Sequence, residues 1–175
     1  MRTNNFVRFM CLGIIAVVAG ITGSAQSSVP QRFSGFINDY SAGGGGPWHV
    51  AAEWELHLKG DSGKADFSAV VAMVRSDLWV VQNSATVDPA DTEARNPHTH
   101  HITVGNAQVT PLANGTRVSG TATVTGNGNP AFVSPVQIDI VGGSAVAFSN
   151  ISVTFSGSAA NHFGTLPLNG VVARY

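Results

Sequence analysis

Between Asp88 and His101 the chain places three of its six histidines and three of its ten acidic residues within fourteen positions. Imidazole and carboxylate together are the ligand set for zinc, copper or iron, and zinc or copper is the metal expected here. If a strand begins at His98, alternation puts His98 and His100 on one face with Ile102 and Val104, and turns His101 to the other with Thr103. Two ligands separated by one residue on a strand face can chelate a single ion. His101 or a loop carboxylate would then complete or support the shell.

A second polar row lies upstream. From Trp48 to Leu58 one parity carries Trp48, Val50, Ala52, Trp54, Leu56 and Leu58, and the other carries His49, Ala51, Glu53, Glu55 and His57. The first set must pack on the core and the second must face water or a ligand. Glu55 and His57 are therefore candidate metal ligands, approaching the His98 loop from a neighbouring strand, and Glu53 is a candidate general base. Glu53 and Glu55 also raise glycoside hydrolysis, whose outcome depends on carboxyl separation, although alternation on one strand is thin support for it. His162, in a turn-like Asn161-His162-Phe163-Gly164 stretch, is a more distant ligand candidate. Trp48 and Trp54 share a face with Val50 and Leu56 and read as core; Trp79 is better placed for exposure and sugar stacking.

The His98-Thr99-His100 stretch resembles the first metal motif of the cupins. That resemblance covers only a few residues, and no glutamate follows His100 at the cupin spacing, so no family is assigned from it.

The elements that must position these residues are strands. No sustained 3.6-residue apolar pattern and no long repeat is evident, whereas period-2 alternation and β-branched runs separated by Gly, Asn and Pro turns dominate. Candidate strands are 32–40, 48–58, 65–74, 78–81, 102–109, 116–125, 135–141, 145–148, 151–156 and 170–174. About nine to eleven such strands predict an all-β antiparallel β-sandwich, with a closed β-barrel as the alternative. The 65–74 strand is apolar at both parities, which implies cover on both sides or a homo-oligomer contact on one of them. Gly43 to Gly46 forms a flexible loop, expected to converge with the Asp88–His101 loop beside a polar site.

Residues 1–25 read as a secretory signal peptide: Arg2 and Arg8 charge its start, Phe9 to Ile21 is apolar apart from glycine, and Gly23-Ser24-Ala25 fits a cleavage site. The apolar run falls short of the ~20 residues needed to span a bilayer. A secreted or periplasmic protein follows, with no membrane span after cleavage. The remaining single domain, 26–175, carries seven basic against ten acidic residues and loses the chain's one cysteine, Cys11. That balance excludes the electrostatic footprint of a nucleic-acid binder and any cysteine-rich zinc module. A domain of this length buries a core without a structural metal, so a metal would serve function.

Nucleophile-elbow, phosphate-loop, dinucleotide and H-E-x-x-H motifs are absent. The expectation is a secreted all-β binding or structural module that coordinates a divalent transition metal through the histidine cluster and recognises a small molecule, glycan or protein. Its alternatives are a small metal-dependent enzyme using the same histidines and an oligomeric surface or envelope protein.

Overall fold

The structure, a computed structural model, describes residues 31–76, 96–126, 129–142 and 149–174. Eight strands run in order β1 (Gln31–Ser41), β2 (Trp48–Leu58), β3 (Lys64–Arg75), β4 (His98–Leu112), β5 (Gly115–Gly126), β6 (Asn129–Val141), β7 (Asn150–Phe155) and β8 (Leu168–Arg174). A six-residue helix, α1 (Ser158–Phe163), lies between β7 and β8. Each strand pairs antiparallel with the next, and β8 pairs back onto β1 to close the barrel.

Of the two arrangements compatible with the sequence, the chain thus adopts the closed barrel. Register shifts between Ser34 and Gly35, Ala65 and Phe67, Val104 and Gln108, and Val124 and Gly126 mark irregularities that bend and coil the sheet. A sheet curled at several such points can bring its last strand to its first, and a meander with no crossing connection leaves no second sheet to pack against. Candidate strands 78–81 and 145–148, Trp79, and the carboxylates of Asp88, Asp91 and Glu93 lie outside the described residues.

Period-2 alternation sets what lies inside. On β2, Trp48, Val50, Ala52, Trp54 and Leu56 are buried, while Ala51, Glu53 and Glu55 are exposed. On β3, Ala65, Phe67, Ala69, Val71 and Met73 point inward, and Val70 on the opposite face is 50% exposed. Trp54 stacks on Phe67 at 6.3 Å between ring centroids, and Ile102, Val104, Val118, Val124, Ile138 and Val153 complete the filling. Small barrels need such side chains because their interior is only wide enough to be filled by them. Among the described residues no helix is long and apolar enough to cross a membrane.

Candidate metal centre

At one end of this packed interior, polar side chains replace apolar ones. β4 opens with His98 and His100 on the inward parity that Ile102 and Val104 hold further along, so both imidazoles enter the barrel mouth. His100 is 7% exposed and His98 is half-buried. His101, one residue on, faces outward and is exposed.

The third histidine arrives from elsewhere. α1 lies at the mouth, anchored by buried Ala159 and Phe163 at an i, i+4 spacing that puts both on one helix face. Phe163 stacks on Phe155 at 4.7 Å. At its start, buried Ser134 of β6 accepts the Ala159 N–H at 2.9 Å and donates its own hydroxyl to the Ser156 carbonyl, and Ser158 Oγ donates to the Val133 carbonyl at 3.1 Å. At its end, Ser41 Oγ donates to the Phe163 carbonyl and the Gly44 N–H to the Asn161 carbonyl, each at 2.5 Å. These donors satisfy carbonyls that a helix end leaves without partners. Gly43 permits the approach, because a Cβ there would lie 1.8 Å from the His162 carbonyl oxygen. Held on both sides, α1 presents His162 to the pair on β4.

The three rings converge through Nε2. His162 Nε2 lies 3.3 Å from His98 Nε2 and 2.8 Å from His100 Nε2, and one ligand atom from each residue lies within 4.8 Å of the other two. Their opposite nitrogens fix the tautomers of two rings. His98 Nδ1 stands 2.7 Å from the Asn96 carbonyl and His100 Nδ1 3.2 Å from the Thr125 carbonyl. A carbonyl only accepts, so each Nδ1 carries the proton and each Nε2 turns a lone pair into the mouth. A metal-ligating histidine is oriented in this way. Three nitrogens each ~2.0–2.1 Å from a tetrahedral ion stand about 3.3–3.4 Å apart; the His98–His162 spacing of 3.3 Å matches this, and the His100–His162 spacing of 2.8 Å would have to open on binding.

Burial favours the neutral form of two of the rings. Burial, and then the neighbouring charges of His100 and His98, push His162 down to about 4, and burial followed by His98 lowers His100. Unprotonated imidazole is the form that binds a metal. Aromatic walls enclose the group: Trp48 meets His98 edge-on at 5.0 Å, Phe163 meets His100 at 5.3 Å, and Trp48 Nε1 is tied to the Gly44 carbonyl at 3.2 Å. Gly126 makes room for His100, since a Cβ there would come within 2.8 Å of its Nδ1.

Of the ligands anticipated from sequence, His98 and His100 come together, whereas His101, His57 and Glu55 lie outside the group because their parity turns them to the outer wall. His101 stands across from Val70 and Thr125, His57 between Arg32 and Asp66, and Glu55 between Ser34 and Ser68. Glu53, Glu55 and His101 instead line an outer depression of about 670 Å³ with Phe36, Ser68 and Thr103. His162, the more remote candidate, occupies the third position. Its one local signal is the Ala159–Phe163 spacing of a short amphipathic turn, and nothing in a separation of 62 residues from His100 announces the contact. The Gly43–Gly46 loop does lie beside the cluster, through its bonds to α1 and Trp48. Among the described residues no carboxylate, cysteine or further histidine joins the three.

No family model, curated protein or solved structure matches the chain. The three histidines could hold a metal ion, and its reading rests on their geometry alone.

Proposed function

We propose that the protein is an exported β-barrel that binds one transition-metal ion, zinc or copper, through Nε2 of His98, His100 and His162. The observation that carries this reading is the convergence of three Nε2 atoms while two of the Nδ1 atoms are engaged by backbone carbonyls. The apolar leader at 1–25 supports export.

The test is metal content and affinity of tag-free protein beside single alanine variants of five histidines. One-to-one binding should weaken at least about 100-fold in His98→Ala, His100→Ala and His162→Ala, beyond the 10–100-fold cost of losing a supporting partner. His57→Ala and His101→Ala should bind as the parent does. Equal affinity across all six proteins would overturn the assignment.

One observation favours a second reading. Three protein nitrogens with no fourth histidine, cysteine or carboxylate beside them among the described residues match a catalytic site, which keeps a position open, better than a closed structural one. An ion there would activate a bound water for hydrolysis. Cobalt-loaded protein should then change its visible spectrum when azide is added; an unchanged spectrum would exclude an exchangeable position.

A further inference from the structure

Soft donors are scarce in this chain: residues 26–175 contain no cysteine and one methionine, Met73. Its place in the barrel is informative. In the β3–β4 ladder Met73 stands directly opposite His98, and Val71 directly opposite His100, with all four residues on the inward face. Side chains paired in this way have Cβ atoms about 4.5–5.5 Å apart, within reach for a thioether on three rotatable bonds. Met73 is wholly buried, at the same level of the barrel as the imidazoles.

We propose that the thioether of Met73 supplies the fourth ligand and that the centre is a copper site, holding Cu(I) in preference to Zn(II). This inference rests on the three-histidine reading and fills the position which that reading leaves. Its chemistry follows from the donors. Zinc sites in proteins are built from thiolate, imidazole and carboxylate, whereas thioether is a soft, neutral ligand that selects Cu(I). Three neutral imidazoles and one thioether form a four-coordinate set with no net charge, which suits a monovalent ion better than a divalent one in a mouth of low polarity. Trp48 and Phe163, edge-on to His98 and His100, keep water from two sides of it.

The deciding experiment measures Cu(I) affinity of the full chain anaerobically against a chromophoric Cu(I) chelator, and Zn(II) affinity separately, for the parent and Met73→Leu. Leucine conserves volume and apolarity, so the core is retained. Cu(I) affinity should fall at least about tenfold in Met73→Leu while Zn(II) affinity changes less than about threefold. Unchanged Cu(I) affinity, with both metals still lost in His100→Ala, would overturn the thioether ligand and leave the three-histidine site standing. Failure of the parent to bind either metal would overturn both. If Met73→Leu does not fold, judged by its circular dichroism, selenomethionine-labelled parent decides instead. A short copper–selenium vector in the X-ray absorption of the Cu(I) protein supports the proposal, and only copper–nitrogen vectors refute it.

Discussion

His100 and His101 are neighbours in sequence and opposites in chemistry. The first enters the barrel mouth, 7% exposed, against Phe163, Gly126 and two other imidazoles; the second stands on the outer wall in water. The same contrast extends to the two regions around them. The outer wall holds more titratable groups, among them Glu53, Glu55, His57, Lys59 and Asp66, yet they face solvent or pair at the exposed surface, as Lys59 and Asp66 do at 2.8 Å. In the mouth, His100 is buried and His98 and His162 half-buried, and their Nε2 atoms are aimed at one another. Convergence and loss of water, rather than density of ionisable residues, distinguish a site from a polar surface.

That contrast can be broken at its glycines. Gly126→Ala drives a methyl to 2.8 Å from His100 Nδ1, whereas Gly105→Ala on the same barrel meets nothing within 4 Å. Metal affinity, by titration calorimetry, should fall about 10–100-fold in Gly126→Ala, the cost of losing an orienting partner. Gly105→Ala should bind like the parent. Equal behaviour of the two would show that the ring is not held where the contrast requires.

A smaller effect is expected from the hydroxyls. Ser134→Ala removes the acceptor of the buried Ala159 N–H and the donor to the part-buried Ser156 carbonyl. Urea denaturation should show a loss of about 1–3 kcal/mol. Exposed Ser62, whose hydroxyl donates to the Lys59 carbonyl and accepts the Lys64 N–H in a solvent-exposed turn, should cost within about 0.5 kcal/mol when changed to alanine. A loss at Ser134 no larger than at Ser62 would mean that α1 is docked by Ala159 and Phe163 alone.

The smallest effect is in pH. In metal-free protein His162 lies at about 4 and His100 is also lowered, against 6.5 for each in the unfolded chain. Between about 6.5 and 4 the unfolded chain therefore binds more protons, so stability is full above that window and declines as pH falls through it. His162→Gln should lose about 2–4 °C less in Tm over the window, read by scanning calorimetry at a series of pH values. A slope identical to the parent's would show that His162 is not desolvated.

Much of the barrel wall was legible from the residues alone. The alternation from Trp48 to Leu58 assigns each side chain to its face, and His98 and His100 share a parity with Ile102 and Val104 that only the interior could satisfy. The same reasoning sends His101 outward. Closure was not legible, because a sandwich and a barrel ask for the same alternation and the same turns, and they differ only in how bulges accumulate curvature around the sheet. The alternation of Glu53, Glu55 and His57 correctly described a shared face, but parity names a face without saying what lies across from it.

What the sequence by itself determined is therefore local: strand class, the inward and outward rows, and the inward pair at positions 98 and 100. These follow from a period of two residues, which every stretch of strand carries within itself. Only the tertiary structure decided which residues meet that pair. Closing β8 onto β1 carries α1 to the mouth where β4 begins, and the bonds of Ser41, Gly44 and Ser134 hold it there. Closure also makes the face that parity gives Glu55 and His57 the outer one, on the far side of the wall from that pair. A contact spanning 62 residues depends on register and curvature summed over the whole barrel, and no local pattern records that sum.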